Sequence, residues 1–251
     1  MTDEQTIADY DVRSPASRTL LTVLGTILVV AVLGGLVLGA SILKRDTTVS
    51  TSVVELGQSR LVVIDAGTAD LRIVQGEPEV VKVSARITSG LRKTDFQIGR
   101  RDDEIKILSG CQTWLSPGCG VSATLEIPEG LPVVIRTTSG NVVAQSISEG
   151  ALTVVTGAGN VSTEALSVDE LEVTTTSGDV AADFARQPFG IKATTDSGDI
   201  TAGVPLGDRS YTVTARSKSG QVTSSIPSKG SDQGYFVRAR SSSGDIDLSM
   251  K

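Results

Sequence analysis

The pattern of apolar and polar positions changes its period once, near residue 44. From Leu20 to Leu43 the chain reads LLTVLGTILVVAVLGGLVLGASIL, with no charge. As a helix this run would span ~36 Å, enough to cross a hydrocarbon core of ~30 Å. A secretory signal peptide has a shorter apolar stretch, about 7–15 residues, and a small-residue cleavage site. Here Lys44-Arg45 follows the run directly, so it reads as an uncleaved signal anchor. Residues 1–19 would be a short polar tail and residues 44–58 a linker. From residue 59 onward the period drops to two. In VVKVSARI, Val81, Val83, Ala85 and Ile87 alternate with Lys82, Ser84 and Arg86, the signature of a half-buried strand. DFQIGRRDDEIKIL reads as a hairpin turning between Arg100 and Glu104.

The second half repeats itself. RTTSGNVVAQ, VTGAGNVSTE, TTTSGDVAAD, TTDSGDITAG, RSKSGQVTSS and RSSSGDIDLS share a hydroxyl-rich lead, a glycine, a polar residue and a β-branched residue. The glycines Gly140, Gly159, Gly178, Gly198, Gly220 and Gly244 recur roughly every 20 residues. Five positions before each stands Ile135, Val154, Val173, Ala193, Ala215 or Ala239. Two positions after stands Val142, Val161, Val180, Ile200, Val222 or Ile246. Three positions before, every unit has Ser or Thr. An upstream copy is visible in Val62, Ile64, Ala69, Asp70, Leu71 and Ile73, with Ala69 in the glycine position. Each unit is a strand, a tight corner and a second strand with one apolar face, which only stacked neighbours can bury. These columns predict an all-β, solenoid-like stack of ~20-residue units spanning residues 59–251. An antiparallel meander is the alternative, because Gly-Asp and Gly-Asn also suit two-residue hairpins.

Composition narrows the chemistry. The chain has 29 acidic and 23 basic residues, a net charge of −6, so no global basic field points to nucleic acid. It contains no histidine, which removes the usual general base and the commonest transition-metal ligand. No P-loop or dinucleotide fingerprint is present, and no serine has a credible base. No catalytic residue, cofactor site or metal site is assigned. The polar column after the glycines comprises Asn141, Asn160, Asp179, Asp199, Gln221 and Asp245. It reads as the exposed face of structural corners, Asp179 and Asp199 being the only pair suited to a weak cation site.

The two cysteines, Cys111 and Cys119, flank a Pro-Gly-containing loop and suggest a disulfide, which requires an oxidising compartment. That places the β-rich region outside the cytoplasm and the N-terminus inside, a choice that the nearly balanced flanking charges leave open. The loop carries the only tryptophan, Trp114, beside Leu115. Such an apolar tip would either dock a partner or cap the end of the stack. Within the apolar run, Ala31, Gly35 and Gly39 form a small-residue stripe that suits close helix–helix approach and a homodimer.

The segment EIPEGLPVVIRTTSGNVVAQ and the TSGDV-type repeats resemble the putative-adhesin β-strand-repeat family of bacterial envelope proteins, over about Leu61 to Leu248. The resemblance implies a surface-exposed β-rich domain behind one membrane helix, with no catalytic residues carried over. The Cys111–Cys119 loop is not part of that pattern. Two functions are therefore expected. One is a non-catalytic, adhesin-like module at the cell membrane, partnered by the bilayer and by an envelope protein or polymer. The other is an accessory of an envelope-stress sensing system that signals through the helix and tail.

Overall fold

A computed structural model describes residues 15–43, 46–89, 94–101, 104–110, 119–229 and 234–251. Helix α1 (Pro15–Leu43) begins five residues before the expected anchor, inside the segment read as a tail. Strand β1 (Asp46–Glu55) occupies the expected linker, and pairing with a later strand is what orders it.

The next strands are β2 (Leu61–Asp65), β3 (Asp70–Gln75), β4 (Val80–Ser89), β5 (Asp95–Arg101), β6 (Glu104–Gly110) and β7 (Gly120–Ile127). The repeat region supplies β8 (Val133–Thr137), β9 (Val142–Gln145), β10 (Ala151–Ala158), β11 (Val161–Leu166), β12 (Glu170–Ser177) and β13 (Val180–Phe184). It continues with β14 (Gly190–Ser197), β15 (Ile200–Val204), β16 (Thr212–Ser219), β17 (Val222–Ser224), β18 (Phe236–Ser243) and β19 (Ile246–Met250).

The repeats stack in parallel, and the antiparallel meander is excluded. Leu152 pairs with Leu171 and Leu171 with Ile191; Val161 pairs with Val180 and Val180 with Ile200. Each sequence column thus becomes a ladder running across rungs. The first strand of every unit lies in a nine-stranded sheet and the second in a ten-stranded sheet. Alternate residues of both sheets face inward, and Val62, Ile64, Ile73, Ile135, Leu152, Leu171 and Val237 belong to one continuous core. Full burial of such a side chain contributes about 1.5–3 kcal/mol, so a unit without neighbours has little to hold it.

Chain order and spatial order differ at both ends. Naming β2/β3 unit 1, β6/β7 unit 2, and β8/β9 to β18/β19 units 3 to 8, the stack runs 2–1–3–4–5–6–8–7. Unit 2 is a rung that the repeat pattern did not disclose. Ile105 and Ile107 fall in register with Val62 and Ile64, and Ala123 and Leu125 with Leu71 and Ile73. Its corner is where Cys111 to Gly118 are inserted, which breaks the count between the columns. At this end β4 pairs antiparallel with β7, β1 with β4, and β5 with β6. The hairpin expected near Arg100 is the β5–β6 pair. At the other end, β16 and β17 are the outermost strands of the two sheets.

Candidate functional site

The corners sit on one edge of the stack, and their chemistry is more specific than exposed polarity. The Asp70 carboxylate accepts a hydrogen bond from the backbone N–H of Asn141 (2.9 Å), and the Asn141 side-chain oxygen accepts one from Asn160 N–H (3.0 Å). Asn160 serves Asp179 (2.9 Å), Asp179 serves Asp199 (2.9 Å), Asp199 serves Asp245 (2.7 Å), and Asp245 serves Gln221 (2.7 Å). Each side chain therefore satisfies the amide of the same column in the next rung. This corrects the picture of a merely solvated column. It also explains the exception, because Gln221 stands in the last rung of the stack and has no further amide to serve.

The glycines have a matching cause. A Cβ on Gly178 would lie 2.2 Å from the Gly159 carbonyl oxygen, and one on Gly198 2.2 Å from that of Gly178. Gly140, Gly159, Gly220 and Gly244 meet a preceding corner carbonyl in the same way. Close approach between rungs, more than freedom to turn, excludes a side chain there. Ala69 is allowed in unit 1, whose outer neighbour, unit 2, has the insertion at its corner. The Ser/Thr column lies beneath these corners and is buried in every unit but that of Ser217, which is half-buried. Thr195, Ser217 and Ser241 donate to the carbonyls of Gly178, Gly244 and Gly198 respectively. The twelve corner positions are thus brought together as a structural seam. Asp179 and Asp199 are both committed to it, and among the described residues no group of metal-ligating side chains assembles.

The loop that holds Cys111, Trp114 and Leu115 lies outside the described residues. Its flanks β6 and β7 locate it at the corner of unit 2, the terminal unit at the end covered by β1, β4 and β5. Cys119 is partly buried where the chain re-enters the sheet. In α1, side chains from Thr22 to Val37 are exposed, and nothing lies within 4 Å of an added Cβ at Gly35 or Gly39. Ala31, exposed as well, shares that face.

Two of the surface depressions lie on the outer faces of the sheets. On the outer side of the ten-stranded sheet, a groove of about 400 Å³ is lined by Asp70, Arg72, Ser84, Arg86 and Asn141, among others. Asp70 already serves the corner seam, and Arg72 is tied to Gln145. On the outer side of the nine-stranded sheet, a groove of about 290 Å³ lies over units 6, 8 and 7. Its walls are Lys192, Arg216, Arg238 and Arg240, and its base includes Thr194 and Thr214. The Phe236 ring lies over Gly190, and the Arg238 guanidinium stacks on that ring at 4.6 Å.

Beside this groove the strand entries form an aromatic cluster. Phe189 and Tyr235 stack with centroids 5.7 Å apart, and Arg209 lies 4.3 Å and 5.1 Å over the two rings. Tyr211 is buried and donates its hydroxyl to the Pro188 carbonyl at 2.8 Å. Burial pushes its phenol up to about 12, although the Arg209 charge pulls the other way. None of these residues had been singled out from the sequence. Aromatics are only 3% of the chain, yet four are gathered at one end. The signal was present in the outward columns: Lys192 and Arg238 stand six positions before their glycines, Arg216 and Arg240 four before.

The fold is a two-sheet parallel β-solenoid with no enclosed cavity around converging ionisable groups among the described residues. Residues 130–249 match the family Toastrack DUF4097, whose fold is solenoid-like, and the putative-adhesin resemblance holds for this segment. Among curated proteins, no sequence matches this one. Among solved structures, the chain is similar to a putative cell adhesion protein of Clostridium sporogenes. That match has 14% identity and a TM-score of 0.47, over 82% of this chain and 100% of that one. It is also similar to a putative adhesin of Bacteroides fragilis, at 13% identity and TM-score 0.49, over 80% and 97%. A putative lipid binding protein of Parabacteroides distasonis aligns at 11% identity and TM-score 0.31, over 80% and 97%.

Proposed function

We propose that the chain is a non-catalytic binding module, held in the cell membrane by α1 and displaying its β-stack on the extracytoplasmic side. The observation that carries this reading is the character of α1. Its window Thr22–Gly39 has a mean hydropathy of 2.4, and no side chain there is buried against the protein. Leu28, Val30 and Leu36 are 65–67% exposed, an arrangement that water would penalise and a bilayer would not. The stack attached to it offers long outer faces and repeated corners rather than an enclosed reaction chamber, which suits recognition of an extended partner. Carbonate extraction of membranes tests the anchor: the full-length chain stays in the pellet, and its release would overturn the reading.

A sensing role is the second reading, and the open stripe of Ala31, Gly35 and Gly39 is what favours it. Gly35→Leu with Gly39→Leu separates the two. Loss of an envelope-stress response with unchanged surface binding would make sensing the principal activity.

A further inference from the structure

We propose that the outer face of units 6, 8 and 7 binds a linear polyanion, a polymer strand bearing regularly spaced phosphates or carboxylates. This deepens the binding-module reading and rests on it for the setting in which such a polymer is met. The inference begins with register. Arg216 and Arg240 are direct partners across β16 and β18, and Lys192 and Arg238 across β14 and β18. Neighbouring strands lie about 4.8 Å apart, so like charges directly opposite one another destabilise the sheet. For Lys192 the problem is solved internally, by its ion pair with Glu172. Arg216, Lys218, Arg238 and Arg240 make no ion pair among the described residues. Asp196, on β14, is the nearby carboxylate of that face and is joined to none of them.

Edge protection does not account for the cluster. Cations on an outermost strand discourage pairing with other chains, which covers Arg216 and Lys218 on β16. Arg238 and Arg240 stand on β18, an interior strand between β14 and β16. Four uncompensated cations on two adjacent strands, in a chain of net charge −6, form a local field of the opposite sign. Their spacing is ~4.8 Å across strands and ~6.7 Å along them, which sets the repeat an anionic chain must present. Stacking on Phe236 holds the Arg238 fork in place without consuming its hydrogen-bond donors. The location favours a polymer over the bilayer that holds α1. That helix leads into β1, at one end of the ten-stranded sheet, and units 8 and 7 close the other end, ~40 Å away.

The test uses the full-length chain in phosphatidylcholine nanodiscs and the anisotropy of fluorescently labelled polyphosphate at 50 and 200 mM salt. Saturable, salt-sensitive binding is expected, with polyglutamate competing and inorganic phosphate alone competing poorly. Arg238→Gln with Arg240→Gln should weaken binding roughly tenfold at low salt and flatten its salt dependence. The matched pair Arg60→Gln and Arg136→Gln should leave it within twofold. If the first pair does not fold, Arg216→Gln with Lys218→Gln on the edge strand takes its place. Equal loss in the control pair, no loss in the groove variants, or binding only to phosphatidylglycerol vesicles would each overturn the inference. Because the detergent-free nanodisc exposes both sides of the membrane, failure here leaves the anchored reading standing. Cytoplasmic placement of the stack would overturn that reading without altering this result.

Discussion

Asp179 shows how one side chain decides a rung. Its Oδ1 accepts the Asp199 amide while its own amide donates to Asn160, so it is both customer and supplier in the seam. Asp179→Ala should cost about 1 kcal/mol, the ordinary net value of one hydrogen bond. Asp179→Asn keeps the acceptor and removes the repulsion from Asp199, so its denaturation midpoint should match or exceed the parent's. Equal loss in both variants would contradict the seam. Gly178→Ala is a harsher change, since the new methyl meets the Gly159 carbonyl oxygen at 2.2 Å. A loss of about 3 kcal/mol is expected from overpacking, whereas Gly120→Ala, with open space around it, should be nearly neutral. Tyr211 adds a pH signature. Its phenol is held at about 12 in the folded chain against 10 for the free group, so the folded state keeps the proton longer than the unfolded state. Stability from this group is therefore intact below pH 10 and declines as pH rises from 10 toward 12. Tyr211→Phe should remove that part of the alkaline slope in urea titrations, and an unchanged slope would count against the buried phenol.

At the scale of elements, the columns of the sequence were enough to mark the units from Val133 onward, while the choice between a parallel stack and a meander was settled by the strand register. A parallel ladder places like positions together, so Val161, Val180 and Ile200 had to recur where they do. Three things were not legible. Unit 2 was hidden because the Cys111–Gly118 insertion separates Ile107 from Val121 by more than a corner's length. The order of the terminal rungs was hidden for a deeper reason: every unit offers nearly the same inner face, so the columns specify stacking without specifying the neighbour. The basic groove escaped because the outer columns of Lys192, Arg216, Arg238 and Arg240 vary between units, and repeats draw the eye to what does not vary. The rung order makes its own prediction. Unit 8 lies between units 6 and 7, so deletion of residues 235–251 strips unit 7 of its only neighbour in both sheets. Hydrogen exchange should then lose protection in β16 and β17 together, while β12 and β13 keep theirs. Retained protection in β16 would contradict the interlocked order.

On the scale of the whole molecule, an apolar helix at one end leads into a stack whose far end carries the uncompensated cations. The disulfide between Cys111 and Cys119 belongs to this scale as a proposal, since it forms only if the stack faces an oxidising compartment. The most direct test of the account is therefore side-specific labelling of these two residues in intact cells with a membrane-impermeant maleimide. The account predicts no labelling before reduction and, after a reductant is added, labelling of both cysteines from outside without permeabilisation. Labelling that appears only once the membrane is permeabilised would put the stack in the cytoplasm and contradict it.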